Sequence, residues 1–125
     1  MTRGAFVVIF RGNKILFVKP PEWVSQFSDH WNFPGGVVEG GELLEDGAKR
    51  EALEETNIVC EVQDLLLEDH NEKFDTSIAI FRARYISGEL KIDPHEISDA
   101  TWYTLKDALE QPLAFDIKKA LLKLV

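Results

Sequence analysis

Three glutamates at helical spacing are the residues of this sequence best placed to do chemistry. Glu51, Glu54 and Glu55 fall at positions i, i+3 and i+4, so on an α-helix they share one side. Carboxylates this close raise one another's proton affinity, and a divalent cation relieves their repulsion. Hard oxygen ligands of this kind suit Mg²⁺ or Mn²⁺. The cluster therefore predicts a metal site, and the alternative interpretation is a solvated acidic face.

The apolar residues of the same helix bear on that choice. Leu44, Ala48 and Ala52 form its apolar stripe, Glu55 projects into the middle of the stripe, and Glu51 lies at its edge. A soluble helix normally keeps charges off its apolar face. A carboxylate beside packed side chains is costly unless something compensates its charge. The helix alone favours neither interpretation over the other.

The residues around the helix form a longer motif. Pro34-Gly35-Gly36 predicts a tight turn, where glycine allows a ligand to approach the backbone closely. The stretch from Gly36 to Ile58 resembles the Nudix box. That pattern is Gly, five residues, Glu, seven residues, Arg-Glu, an aliphatic residue, any residue, Glu-Glu, any residue, Gly and an aliphatic residue. The residues that match it are Gly36, Glu42, Arg50, Glu51, Glu54, Glu55 and Ile58.

Two positions of the box need comment. Ala52 is a small member of the aliphatic class, and Asn57 stands where the pattern has its last glycine. Asn tolerates the left-handed backbone conformation best after glycine, so Asn57 is predicted to end the helix in that conformation. Glycine should therefore be tolerated at this position and valine should not. The box covers 23 of the 125 residues, and with so many specified positions it is a specific signal.

The resemblance implies the fold. It implies a Nudix-type α/β/α sandwich, with a mixed β-sheet flanked by helices, over nearly the whole chain. We therefore expect residues 1–125 to form a single domain. The pattern of strands and helices, which lacks regular βαβ alternation, also favours a mixed sheet. Strands are predicted at 4–10, 14–19, 58–62 with the signal returning at 65–67, 76–86 and 100–104. Helices are predicted at 43–56, 105–110 and 113–125, with Thr104 as the cap of the second, and a loop is predicted at 68–75.

The resemblance also implies an activity. Family members hydrolyse a nucleoside diphosphate linked to another group X, with the help of Mg²⁺ or Mn²⁺. No mark of another subfamily is evident, and Phe74 stands where ADP-ribose hydrolases have proline and dinucleoside polyphosphate hydrolases have tyrosine. The expectation is a MutT-type nucleoside triphosphate pyrophosphohydrolase. Hydrolysis of ADP-ribose, nucleotide sugars or dinucleoside polyphosphates, and a non-catalytic nucleotide-binding module, remain alternatives.

Matching positions imply roles for the acidic residues. Glu54 and Glu55 are implied as metal ligands, with Glu51 as a third and the Gly36 carbonyl as a fourth. Glu54 and Glu51 are thereby also implied in catalysis. Arg50 is expected to be structural, pairing with box carboxylates such as Glu42 through its bidentate fork.

Outside the box, Glu96 precedes the last strand, where MutT-like members carry a further metal-binding or basic glutamate. An exposed loop acid explains Glu96 equally well. Lys19, Arg82 and Arg84 are candidates for substrate phosphate, with a surface lysine and a solvated sheet face as alternatives. Trp23 and Phe27 lie on a loop ahead of the turn and are expected to cap the core or to form a substrate wall.

Composition limits the partners. The net charge of −8 disfavours a grip on nucleic-acid polymers but allows a small nucleotide, because bound metal supplies positive charge. The single cysteine, Cys60, fits a reducing cytoplasm and a buried position. No apolar run is long enough for a membrane span. Dimers are common in the family, so a homodimer remains open.

Overall fold

A hairpin opens the chain, as its two apolar runs, rich in β-branched and aromatic residues, and the glycine between them predict. The computed structural model describes residues 1–24, 28–114 and 116–125. Gly12 turns the hairpin at φ +62°, in the left-handed region that suits glycine. The elements in chain order are β1 (Thr2–Arg11), β2 (Lys14–Lys19), β3 (Gly35–Val37), α1 (Leu44–Thr56), β4 (Val59–Asn71), β5 (Thr76–Ser87), β6 (Asp99–Thr104), α2 (Leu105–Ala108) and α3 (Ile117–Leu122).

The sheet is mixed, and its strands follow the order β4-β5-β1-β2-β6. β1 and β5 are parallel, while the other neighbours are antiparallel. β1 pairs with β2 only beside the hairpin turn, at Phe10 and Arg11, and its other end pairs with β3 from Gly4 to Phe6. The two strands therefore diverge, which lets the turn before α1 enter the sheet beside β1.

Apolar side chains cover both faces of the sheet, since successive strand residues point to opposite sides. One core cluster joins α1 to β1, β4 and β5, and the other joins β1 and β2 to α2 and α3. The predicted α/β/α sandwich is confirmed. The buried members on the α1 face include Val7, Leu16, Ala48, Ala52, Ile58, Cys60 and Phe81, and those on the α3 face include Val8, Phe17, Phe33, Ile80, Ala120 and Leu121.

The prediction of a loop over residues 68–75 is wrong for its first half. β4 continues to Asn71 and pairs with β5 throughout, ending at Asn71 opposite Thr76. The stretch is polar because β4 is an edge strand, and Glu68, His70 and Asn71 are exposed. The polarity of these residues therefore reflects their position on an edge strand and does not indicate a loop.

The last helix is also shorter than predicted. It begins at Ile117, although the apolar pattern starts at Leu113. Trp31 accounts for the difference, because Leu113 forms a β-bridge with it. The Trp31 carbonyl accepts from the Ala114 amide, and the Trp31 amide donates to the Pro112 carbonyl. These residues therefore extend the sheet edge instead of the helix. The predicted cap of α2 is confirmed, since the Thr104 side chain accepts from the Asp107 amide.

No helix in the part of the chain that the structure describes is long and apolar enough to cross a membrane.

Trp23 is 71% exposed, so it does not cap the core, and Phe27 lies outside the described residues.

Candidate active site

Three carboxylates from two separate segments converge at one end of α1. Oxygens of Glu51, Glu55 and Glu96 all lie within 4.8 Å of one another. Glu51 and Glu55 are one helical turn apart on α1, and Glu96 comes from the loop before β6. We call these three residues the carboxylate cluster. Three hard anionic ligands at this spacing can hold one divalent cation.

Glu55 is the buried member of the cluster. Its residue is 7% exposed, and the amide nitrogen of Gly35 donates to its Oε1 across 3.1 Å. Burial raises the pKa of Glu55 to about 8, the Gly35 bond opposes that rise, and repulsion from Glu51, Glu96 and Glu54 adds to it. Burial also raises the pKa of Glu51. Both side chains therefore bind a proton or a cation more readily than ordinary glutamates do.

Two glycines bring the backbone against these side chains. A Cβ on Gly35 would lie 2.3 Å from the carbonyl oxygen of Ala5 in β1. A Cβ on Gly36 would lie 2.9 Å from the carboxyl carbon of Glu51. A Cβ at position 35 would therefore push β3 away from β1, and one at position 36 would displace the Glu51 carboxylate. Gly36 thus lies beside the carboxylate cluster, and its carbonyl as a metal ligand stays a prediction.

Arg50 joins the box carboxylates together. Its Nε and Nη2 donate to the two oxygens of Glu42 across 2.8 and 3.0 Å. Its Nη1 donates to Glu51 and Glu54, each across 3.2 Å. The Arg50 bond holds the pKa of Glu42 below its usual range. The predicted Arg50–Glu42 pair is confirmed, and the same guanidinium also holds the Glu51 carboxylate.

Glu54 stands apart from the carboxylate cluster. Its side chain is 49% exposed and accepts two bonds from Arg50 Nη1. The structure thus brings together Glu51, Glu55 and Glu96, whereas sequence reasoning put Glu54 and Glu55 first. The role of Glu54 as a ligand stays a prediction.

The backbone of the loop before β6 brings Glu96 to the helix. The Asp93 amide donates to the carbonyl of Glu55 across 3.2 Å, and the Glu96 and Ile97 amides both donate to the Asp93 carbonyl across 2.9 Å. Ile97 is buried, and the Ser98 amide donates to the Lys19 carbonyl. The Glu96 side chain is exposed but lies at the cluster, so it is not an isolated loop acid.

Asn57 ends α1 as predicted. Its φ of 65° and ψ of 16° are left-handed, and its amide donates to the Leu53 carbonyl across 2.9 Å. The structure adds a contact that the sequence did not indicate. The Asn57 side-chain Nδ2 donates to the carbonyl of Glu89 across 3.0 Å, which glycine could not do.

Lys19 lies at the end of β2, near the loop that carries Glu96. Its Nζ is 4.4 Å from the centre of the Trp31 ring, a cation–π distance. It lines a polar cleft of about 510 Å³ with Glu22, Ser28, Asp29, Ser98 and Asp99. A contact between Lys19 and substrate phosphate stays a prediction.

The two arginines of β5 lie elsewhere. Arg82 and Arg84 are in register with Val8 and Phe10 of β1, whose side chains belong to the α3 face. They pair with carboxylates of β4, Arg82 with Asp64 across 3.4 Å and Arg84 with Glu61 across 3.3 Å. The carboxylate cluster lies on the opposite face. Arg82 and Arg84 thus take part in cross-strand ion pairs, and their contact with substrate phosphate stays a prediction.

A cavity of about 490 Å³ on the α3 face was not foreseen. Its apolar walls are Phe6, Ile78, Ile80 and Ile117. Polar groups at its rim include Asn32, Asp69 and Asp116, and burial raises the pKa of Asp116. Phe6 also contacts the Gly35 turn, which connects this wall to the carboxylate cluster. No spacing rule could have found the cavity, because its residues come from several distant segments.

Comparison with known proteins identifies the class of this fold and site. A family model described as the NUDIX domain matches residues 1–124. The chain belongs to the NUDIX family.

Similar proteins span several named activities. The chain is 33% identical over 111 residues to an NAD-capped RNA hydrolase NudC of Pseudomonas aeruginosa, covering 87% of this chain and 38% of that protein. It is 33% identical over 113 residues to Nudix hydrolase 2 of Arabidopsis thaliana, covering 87% and 40%. The chain thus spans about two fifths of the length of these relatives. Among solved structures, a MutT NUDIX hydrolase from Burkholderia pseudomallei superposes with a TM-score of 0.84 at 29% identity, covering 99% and 98% of the two chains.

Proposed function

We propose that this protein is a divalent-cation-dependent hydrolase that cleaves a pyrophosphate bond in a nucleoside diphosphate linked to a group X. Nucleoside triphosphates, cleaved as by MutT-type enzymes, are the proposed substrates. The observation that carries the proposal is the carboxylate cluster, in which Glu51, Glu55 and Glu96 lie within 4.8 Å and Glu55 is buried. Ion pairs that only stabilise the fold do not explain why three carboxylates lie this close together.

The residues present fit a hard divalent cation. A buried glutamate whose pKa is raised to about 8 gains most when a cation offsets its charge. Carboxylate oxygens suit Mg²⁺, with Mn²⁺ as the substitute. When bound, such a cation neutralises phosphate charge and lowers the pKa of the attacking water. Glu51, Glu55 and Glu96 are its proposed ligands, and Glu54 and the Gly36 carbonyl are proposed as further ligands.

Side chains of the protein are proposed to perform the remaining steps of the reaction. Water attacks one phosphorus, the bridging P–O bond breaks, and the water proton passes to a carboxylate. Glu96 and Glu51 are the proposed acceptors of that proton: Glu96 is exposed at the cluster, and burial raises the pKa of Glu51. Arg50 keeps Glu51 oriented, and Lys19 is the proposed contact for substrate phosphate.

The cavity on the α3 face is the proposed site of the nucleobase. Phe6, Ile78 and Ile117 offer flat and branched apolar contacts for a ring, while Asn32 and Asp116 offer polar groups at its edge. A cavity of about 490 Å³ has room for one base and its sugar.

One assay tests the proposal. Purified protein is given nucleoside triphosphates, nucleotide sugars, ADP-ribose, dinucleoside polyphosphates and NAD-capped RNA, with Mg²⁺ or with a chelator, and the products are identified. We expect a triphosphate to yield a nucleoside monophosphate and pyrophosphate only with the cation. Nucleotide binding with no cleavage of any substrate, under either metal, would support a non-catalytic module instead.

Compartment and partners are further proposals. The single, buried cysteine is compatible with a reducing cytoplasm, and a net charge of −8 favours small nucleotides over nucleic-acid polymers. Light scattering of the purified protein distinguishes a monomer from a homodimer.

A further inference from the structure

The segment that carries Glu96 is tied to the end of the helix that carries the other two cluster carboxylates. We call residues 88–98 the Glu96 loop. Two backbone amides of this loop donate to carbonyls at the end of α1. The Lys91 amide donates to the Thr56 carbonyl across 2.9 Å, and the Asp93 amide donates to the Glu55 carbonyl across 3.2 Å. The far end of the loop is held by buried Ile97 and by the bond from Ser98 to Lys19. The loop thus has two anchored ends, with Glu96 between them.

Asn57 forms the first anchor together with its neighbour in space, Gly88. The Asn57 side chain donates to the Glu89 carbonyl across 3.0 Å. Gly88 has φ +104°, and a Cβ on it would lie 2.2 Å from the carbonyl oxygen of Asn57. The loop backbone therefore lies directly on the residue that ends α1. Asn57 occupies the position where the box pattern has glycine, so the contact through its side chain is a feature of this sequence.

We infer that Asn57 is a positioning residue for the reaction: its side-chain amide fixes the start of the Glu96 loop and thereby the place of the Glu96 carboxylate beside Glu51 and Glu55. The connection passes from Glu89 through the Lys91 and Asp93 amides to the Asp93 carbonyl, which accepts from the Glu96 amide across 2.9 Å. The inference rests on the proposed role of Glu96 in the carboxylate cluster.

The bond can be removed without removing the helix cap. The cap itself uses the Asn57 backbone amide and the left-handed backbone, and glycine provides both. Asn57→Gly therefore deletes only the side-chain contact. Asp75→Gly is the matched control, since Asp75 is another non-glycine residue with positive φ (47°) and lies in the β4–β5 turn, away from the cluster.

Amide hydrogen exchange measures the positioning directly, without metal or substrate. We expect the Glu96 and Ile97 amides to exchange roughly two- to tenfold faster in Asn57→Gly, the range for losing one hydrogen bond. Amides in the middle of β1 should not change, and Asp75→Gly should leave the Glu96 loop as it is in the wild type. Equal acceleration in β1 would show general destabilisation only and would overturn the inference.

Cation affinity and kinetics provide the second measurement. We expect the Kd for Mg²⁺, titrated by calorimetry, to rise roughly two- to tenfold in Asn57→Gly, and kcat to fall more than KM changes. In a Glu96→Gln background the Asn57→Gly change should have little further effect, because the group that Asn57 positions is already gone. Full additivity of the two changes would overturn the inference.

The two proposals fail in different ways. Unchanged exchange at Glu96 and Ile97 in Asn57→Gly overturns the positioning role, whatever the protein hydrolyses. Accelerated exchange combined with wild-type Mg²⁺ affinity and turnover in Glu96→Gln would confirm that Asn57 holds the loop, and would overturn the role of Glu96 in the proposed function.

Discussion

The amide nitrogen of Gly35 donates to Oε1 of Glu55 across 3.1 Å, joining the start of β3 to the buried member of the carboxylate cluster. One neutral donor does not offset the burial of a charge, so the pKa of Glu55 is raised to about 8. The protein without metal therefore keeps a proton on this side chain near neutral pH. Protonation and cation binding at Glu55 exclude one another.

The first prediction concerns the pH dependence of stability without metal. In the unfolded chain Glu55 titrates at its ordinary value of 4.5, whereas in the folded protein it titrates at about 8. Between these values the folded state binds more protons, so the Glu55 contribution to stability is complete below 4.5 and is lost as pH rises toward 8. The slope should approach about 1.4 kcal/mol per pH unit and should be measured by urea unfolding with chelator present.

Substitution isolates that effect. Glu55→Gln should remove most of the slope, since the amide does not titrate, and Glu45→Gln, at an exposed position of the same helix, should keep it. Mg²⁺ should raise Tm more at pH 8 than at pH 6 in the wild type, because the cation competes with fewer protons. The same slope in Glu55→Gln and wild type would contradict the assignment.

A second prediction tests Glu54, which the sequence placed among the ligands and which Arg50 holds in the structure. Glu54→Gln should keep the fold and lose most turnover, because an amide brings no charge to the cation. Steady-state kinetics with saturating Mg²⁺ and a melting curve are the measurements. Near-normal activity in Glu54→Gln beside an inactive Glu51→Gln would restrict the metal site to the carboxylate cluster.

Glu96 is the subject of a third prediction. Glu96→Gln should lower kcat by roughly 10²–10⁴-fold, the usual range for losing a general base. KM should change much less, because the proposed base cavity lies on the other face of the sheet. Glu89→Gln, an exposed acid of the same loop whose backbone carbonyl is retained, serves as the control. Wild-type turnover in Glu96→Gln would pass the role to Glu51.

The fourth prediction concerns stability at the helix end. Asn57→Gly should stay within about 1 kcal/mol of the wild type, since glycine adopts the left-handed conformation freely and one exposed hydrogen bond is lost. Asn57→Val should lose about 1–2 kcal/mol or more, because a β-branched residue resists φ of 65°. Thermal unfolding of both variants measures the difference in stability. Equal Tm values for the two variants would contradict the assignment of a left-handed cap at Asn57.

Local patterns were sufficient for most of the elements. The hairpin, α1, β5, β6 and the cap of α2 follow from hydrophobic periodicity and from turn and cap residues, which act over a few positions. The predicted elements were wrong where pairing with a distant segment determines the local structure. Glu68–Asn71 is a strand because β5 pairs with it, and Leu113 and Ala114 are not helical because Trp31 pairs with them.

The sequence by itself determined the chemistry that this protein has available. Spacing on one helix put Glu51 and Glu55 on a common side, since helical geometry is set locally, and the resemblance to the Nudix box implied the pairing of Arg50 with Glu42. Only the tertiary structure decided which carboxylates meet. It brought Glu96 to the cluster through backbone bonds to the end of α1, left Glu54 with Arg50, and assembled the cavity around Phe6. These placements depend on pairing between segments far apart in the chain, and no local spacing rule encodes that pairing.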